Sequence, residues 1–275
     1  MDVLVVGTDA DTGVFDELSL LIHQYGLPVS LSFRVLPKLS DKFVLTAMMD
    51  NTNTPIIAIT KNSPVIVWTS GDGIMKSSPN WAALTKRIVS AGRKSELILQ
   101  ACKLNDTMTV IDGTAGFGHD GLILASTGVQ LHIVERQPLM ALLLFYEYQL
   151  MNNHRNWQKL LSRIHIHYGD FLADDIDLPK ADLVYLDPMF PADSYAAKVG
   201  KNMQILHELA SIPSADDERQ LLERAMRQVV EGGRVVVKRP ISAPYLAAIK
   251  PVQSVANDVI RFDRYDKVGL DLPND

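Results

Sequence analysis

The sequence predicts an α/β protein built on a mainly parallel sheet, with a small α/β unit ahead of it. Three observations predict this. From about Trp81, short β-like runs alternate with stretches of helical apolar spacing. A glycine-rich turn joins one of these runs to the next helix. Several runs end on a carboxylate, at the edge where parallel sheets hold their ligands.

The elements follow in order. Residues 1–80 read as a small N-terminal α/β subdomain. Leu4 to Val6 is a strand, and Phe15 to Tyr25 has helical spacing and stops at Gly26 and Pro28. Phe43 to Met48, Pro55 to Thr60 and Val65 to Trp68 are short β-like runs separated by Asn, Pro and Ser. Ser70 to Gly73 and Ser77 to Asn80 read as loop or linker. Residues 81–275 read as the larger domain. Leu84 to Cys102 is helical, Thr109 to Asp112 a strand, Asp120 to Ser126 a helix, Gln130 to Glu135 a strand and Pro138 to Asn152 a long helix. Ile164 to Tyr168 and Leu183 to Asp187 are strands, Glu218 to Val230 a helix, and Gly233 to Lys238 and Val259 to Tyr265 strands.

Bulk properties narrow the class. With 275 residues, 47% of them hydrophobic, the chain can bury a large core. No apolar run suggests a membrane span, and the N-terminus lacks the pattern of a signal peptide. Cys102 is the one cysteine, so no internal disulfide or zinc cluster is expected and a reduced, cytoplasmic setting is. Cys102 itself reads as a small buried hydrophobe. The formal charge of −5 argues against indiscriminate nucleic-acid binding but leaves room for a local basic face.

The glycine turn is Asp112-Gly113-Thr114-Ala115-Gly116-Phe117-Gly118. Small residues let backbone approach a ligand, and a helix start supplies unpaired N–H groups. Gly116 to Gly121 also fits G-x-G-x-x-G, a pattern that serves a dinucleotide equally well. Asp112 precedes the glycines, where a carboxylate can face the sulfonium and ammonium of S-adenosylmethionine; a dinucleotide brings an anionic pyrophosphate instead. Glu135 ends the next strand and can accept both ribose hydroxyls of either cofactor. Asp170 and Phe171, after the third strand, are placed to meet an adenine.

The fourth strand ends in Asp187-Pro188-Met189-Phe190-Pro191. It resembles the [Asp/Asn]-Pro-Pro-[Tyr/Phe] motif of enzymes that methylate exocyclic amines of nucleobases, with Met189 in place of the second proline. Such an amine is a poor nucleophile because its lone pair is delocalised into the ring. A carboxylate and a neighbouring carbonyl can accept its two N–H hydrogens and aim the lone pair at the methyl group. Pro188 stiffens the turn, and Phe190 offers a face for an extruded base. No cluster with ligand spacing accompanies Asp187, so no metal is expected.

Together the glycine turn with His119-Asp120, Val134-Glu135-Arg136-Gln137-Pro138, Val184 to Pro191, Val235 to Pro240 and Arg261 to Tyr265 resemble the RsmJ family. The resemblance covers roughly the last two thirds of the chain. It implies a Rossmann-like class I fold with a mostly parallel seven-stranded sheet and S-adenosylmethionine as cofactor. It also implies methylation of a guanine N2 amine near the 3′ end of small-subunit ribosomal RNA, with that RNA or the small ribosomal subunit as partner. Cofactor contacts carry over to His119 and Asp120, Glu135 and Arg136, Asp170 and Phe171, and Asp187. His119 stands where the family often has arginine. Asp170-Phe171 stands where small hydroxyl residues can occur, which implies an adenine pocket read partly by backbone.

Candidate phosphate contacts are Lys198 and Lys201 after the motif, and Lys238 and Arg239 at a strand end; Lys86, Arg87, Arg93 and Lys94 are further basic pairs. His165 and His167 read as sheet-surface histidines, and Phe145 to Tyr148 as packing. The alternatives are an adenine N6 or cytosine N4 methyltransferase, a nicotinamide-dependent oxidoreductase, and a non-catalytic RNA-binding factor.

Overall fold

The computed structural model describes residues 1–50, 55–70, 73–189 and 214–267. Two sheets organise it. The first has strands β1 (Asp2–Gly7), β2 (Ser30–Val35), β3 (Ile56–Thr60), β4 (Ser63–Ser70) and β5 (Gly73–Ser77), in the order β2-β1-β3-β4-β5. The β2-β1-β3 part is parallel, and β3-β4-β5 antiparallel. Helices α1 (Thr12–Tyr25) and α2 (Asp41–Met49) belong to this part of the chain. Gly26 ends α1 in the left-handed conformation that a helix C-terminus favours.

Two expectations change here. Phe43 to Met48 is not β-like but lies inside α2: Ser40 is extended before the helix, Asp41 favours its positive end, and the buried Val44 and Ala47 are one turn apart. Gly73 and Ser77, expected in loop or linker, are the two ends of β5, which pairs along β4, and Ser70 ends β4. Strand β2 was not expected, although Ser30-Leu31-Ser32-Phe33-Arg34-Val35 alternates polar and apolar; it pairs in parallel with β1.

The second sheet carries strands β6 (Thr109–Asp112), β7 (Gln130–Glu135), β8 (Ile164–Tyr168), β9 (Ala181–Leu186), β10 (Val229–Pro240), β11 (Gln253–Ala256) and β12 (Ile260–Asp266). Their order is β11-β12-β10-β9-β6-β7-β8, parallel from β10 to β8, with β12 antiparallel to both β10 and β11. This is the seven-stranded, mostly parallel sheet that the resemblance implies. The chain winds outward from β6 in one direction and from β9 in the other. The crevice at their carboxyl ends is therefore the switch point at which such sheets bind ligands.

The remaining helices are α3 (Thr85–Ser90), α4 (Leu97–Cys102), α5 (His119–Ala125), α6 (Pro138–Asn152), α7 (Arg155–Leu161) and α8 (Ala215–Gln228). The single helix expected over Leu84 to Cys102 is two, because Ala91 turns extended and Gly92 begins a loop closed by Ser95. Helix α6 is apolar nearly all round, as a helix buried on both sides must be. Leu144 and Met151 pack with Trp81, Leu131 and Leu161 of the large core. Leu139 to Leu143, Phe145 and Tyr146 pack with Val3, Leu18, Ile57 and Trp68 of the first sheet. The two sheets thus share one helix between their cores. Phe145 stacks on Tyr25 with centroids 3.6 Å apart, so this aromatic stretch does serve packing. Cys102 is fully buried. Among the described residues, no helix is long and apolar enough to cross a membrane.

Candidate functional site

The glycine turn leaves β6 at Asp112, whose register partner across the switch point is Tyr185 of β9. Gly113 donates its N–H to the Tyr185 carbonyl at 3.0 Å. A Cβ on Gly113 would stand 3.0 Å from Leu186 and from the Phe171 ring, so any side chain there would have to push these neighbours back. Gly116 and Gly118 have φ of +55° and +73°, the left-handed region where glycine carries no penalty. Trp81 closes the turn from outside: its indole N–H donates to the Phe117 carbonyl at 2.8 Å, while its backbone N–H donates to Glu147 of α6 at 2.7 Å.

A cavity of about 520 Å³ opens over this turn. Asp112, Gly113, Gly116, His119, Asp120, Glu135, Arg136, Asp170, Phe171, Asp187, Pro188 and Lys238 all line it. The expected site residues from five separate chain segments therefore converge on one space of ligand size. Burial pushes the Asp112 carboxyl up to about 8, although it accepts the Thr114 N–H. Burial likewise raises Glu135 to about 7, while its oxygens accept the N–H groups of Gly116 and Gln137, each at 2.7 Å. Phe171 is buried as a wall. Asp170 accepts the Leu172 N–H at 3.0 Å and faces Arg136 across 3.7 Å.

At the other end of the cavity, the glycine turn and the Asp187 motif are tied directly. The Asp187 N–H donates to the Thr114 hydroxyl at 2.6 Å. The Lys238 ammonium, from β10, lies 2.8 Å from Oδ2 of Asp187 and 2.8 Å from Oδ2 of Asp120. The Tyr185 hydroxyl donates to the same Asp120 oxygen at 2.6 Å. Burial opposes ionisation of Asp120, but Lys238 and Tyr185 outweigh it and hold the carboxyl below its ordinary value. Burial dominates at Asp187 and raises its carboxyl despite Lys238. Lys238 is raised by its two carboxylates against the desolvation that would lower it.

Two basic residues depart from their expected place. Arg239 is not a surface cation: it is 1% exposed and its guanidinium is committed to Glu218 of α8 at 2.9 Å. Alternation along β10 sends it to the face opposite Lys238. Lys238 belongs to the cavity wall, not to an outer basic face. His119 lines the cavity, but its Nε2 lies 2.6 Å from the Pro79 carbonyl, so the ring is held toward the preceding segment. His132, Nδ1 of which is 3.0 Å from His167 Nε2, joins the pair of β8 histidines. Phe190, Lys198 and Lys201 lie outside the described residues. Tyr185 was not expected to line the site; Thr114 was expected only as one residue of the glycine turn, and Arg87 only as a basic candidate for RNA phosphate. A hydroxyl inside a glycine turn was the available signal for Thr114; Tyr185 reads from sequence as an ordinary strand residue.

A family profile described as "Putative SAM-dependent methyltransferase" matches residues 68–267. The protein named ribosomal RNA small subunit methyltransferase J from Psychrobacter arcticus is 44% identical over 270 residues, covering 90% of each chain. Its namesake from Psychrobacter cryohalolentis is 42% identical over 91% of this chain and 90% of its own. A solved SAM-dependent methyltransferase from Neisseria gonorrhoeae superposes with a TM-score of 0.68 at 24% identity, over 98% of this chain and 97% of that one, and so shares the fold.

Proposed function

The chain belongs to the ribosomal RNA small subunit methyltransferase J family of S-adenosylmethionine-dependent methyltransferases, and on that premise we propose that it methylates the N2 amine of a guanine near the 3′ end of small-subunit ribosomal RNA. The observation that carries the reading is the joining of cradle and acceptor motif, in which Thr114 of the glycine turn fixes the backbone of Asp187. A nicotinamide reading of the same glycines gives way to the family's cofactor. A cytoplasmic working place, where ribosomal RNA is made and matured in bacteria, belongs to the same reading.

The cavity suits the cofactor chemically. Gly113 allows close approach of backbone, and the buried Asp112 and Glu135 are acceptors raised in pKa by desolvation, which a cationic or hydroxyl-bearing ligand relieves. Bound S-adenosylmethionine supplies an electrophilic methyl group. Asp112 would face its cationic amino-acid end and Glu135 its ribose hydroxyls, since each carboxylate oxygen keeps acceptor capacity beyond the backbone N–H it already holds. Phe171 would form one wall beside the adenine, with Asp170 and Arg136 at the rim and His119 and Asp120 at the helix start.

Asp187 then orients the substrate. Its carboxylate and backbone carbonyl would accept the N–H hydrogens of the amine and turn the nitrogen lone pair toward the methyl group. Alignment of this kind is worth about 7–11 kcal/mol of barrier in favourable cases. Pro188 holds the carbonyl, and Phe190 would stack on the extruded base. Lys198 and Lys201 remain candidates for flanking phosphates.

Asp187→Ala tests the assignment. The expected result is loss of methylation of ribosomal RNA with the melting temperature retained, and mass mapping of the wild-type product at guanine N2. Methyl groups found on adenine N6 or cytosine N4 would replace guanine as the substrate, and an active Asp187→Ala enzyme would remove Asp187 from the chemistry.

A further inference from the structure

The Lys238 ammonium is shared between two carboxylates that come from different parts of the fold. Asp120 stands in the first turn of α5, and Asp187 follows β9. Both contacts are 2.8 Å and both use Oδ2, while Asp120 is also braced by the Tyr185 hydroxyl. The lysine side chain is 25% exposed and the Asp187 side chain 34%, so the pair sits where desolvation strengthens it without closing it off from a ligand. Among the described residues, Oδ1 of Asp187 makes no hydrogen bond within the protein. One oxygen of this carboxylate is thereby fixed, and Asp187 lines the cavity.

We propose that Lys238 is a positioning residue for methyl transfer: braced by Tyr185 and Asp120, it pins Oδ2 of Asp187 so that Oδ1 and the Asp187 carbonyl are presented to the substrate amine. The inference rests on the reading of Asp187 as the group that orients the amine. It assigns Lys238 a role inside the site in place of contact with RNA phosphate.

The charge balance explains why a cation is needed there. Among the described residues, the groups that face Lys238 and Asp187 are Asp112 from β6, Asp120 from α5, Tyr185 from β9 and Arg87 from α3, and Glu135 from β7 lines the same cavity. Asp112 and Asp120 each raise Asp187 or are raised by it, and burial adds to that. Removing Lys238 would leave two carboxylates with no shared cation between them, and the cheapest response is protonation of one. A protonated Asp187 would offer one acceptor fewer and the amine would lose its alignment.

The experiment reads Asp187 directly in the cofactor-free protein, by carboxyl carbon NMR titration of wild type, Lys238→Met, Lys238→Gln and Lys238→Arg. Loss of the charge in Met and Gln is expected to move the Asp187 titration up by more than about one pH unit, with Arg close to wild type. In turnover, Met and Gln are expected to lose about 10- to 100-fold in kcat, to shift the acid limb of the pH profile upward, and to change RNA affinity less than threefold; Arg restores most of the rate. An Asp187 titration unchanged in Gln, or a loss confined to RNA affinity and to its salt dependence, overturns the proposal and returns Lys238 to the phosphate contacts. An inactive wild type on ribosomal RNA would instead count against the proposed function, since the titration stands apart from turnover.

Discussion

Thr114 and Asp187 are 73 residues apart in sequence, and a 2.6 Å hydrogen bond from the Asp187 N–H to the Thr114 hydroxyl joins them. It spans the switch point between β6 and β9. One side of it is the turn that cradles the cofactor in our reading, the other the motif that orients the amine. In that reading, the distance between methyl donor and acceptor depends on a side chain that belongs to neither group's chemistry.

Replacing that hydroxyl should uncouple the two. In Thr114→Val the Asp187 N–H loses its partner at nearly constant side-chain volume, which costs about 1–3 kcal/mol where the group stays out of water. Expressed in the transition state, this corresponds to roughly a 5- to 150-fold lower kcat. Thr114→Ser should restore the rate. Steady-state kinetics beside calorimetric titration of S-adenosylmethionine check this; a loss seen only as weaker cofactor binding would place Thr114 in the cradle alone.

Glu135 predicts a pH dependence of stability in the cofactor-free protein. Its carboxyl is raised by burial from 4.5 to about 7. Between those values the unfolded chain has released the proton and the folded chain still holds it. The native state is thus favoured at the lower pH, and its advantage is lost as pH rises through about 7. Asp112, raised to about 8, acts in the same direction. The melting temperature should therefore fall from pH 5 to pH 8, and Glu135→Gln should flatten the slope. Cofactor affinity should run the opposite way and rise over that range, because the ionised carboxylate is the better acceptor for ribose hydroxyls. A Glu135→Gln protein with the wild-type slope would assign the effect elsewhere.

Arg239 predicts a stability defect in place of an RNA-binding one. The guanidinium is buried against Glu218, whose other oxygen accepts the Ala247 N–H at 3.0 Å. Arg239→Ala leaves that carboxylate without its cation, and breaking a buried pair from one side costs about 3–5 kcal/mol. Thermal or urea unfolding should show this loss, with RNA affinity at low temperature and its salt dependence close to wild type. A flatter salt dependence with unchanged stability would restore Arg239 to the phosphate contacts.

The sequence by itself determined where the candidate site residues stand along the chain. Local rules sufficed: Thr109–Asp112, Gln130–Glu135 and Ile164–Tyr168 carry short-range strand patterns, Pro138 opens α6 at its first turn, and the first two strands end on Asp112 and Glu135, which line the cavity, while Gly169 and Asp170 line it just past the third. Those rules failed where local preference is weak. Phe43 to Met48 is apolar on too many sides to separate strand from helix, and burial of Val44 and Ala47 against the first sheet decides for helix. Tertiary structure alone decided the partners. Pairing of Val237 with Leu186 sets Lys238 beside Asp187, and α5 brings Asp120 to it across 118 residues of chain. Pleating turns the next residue, Arg239, away toward α8. Two adjacent basic residues look alike in sequence, and their roles separate because charge is placed by long-range strand register, which no local pattern records.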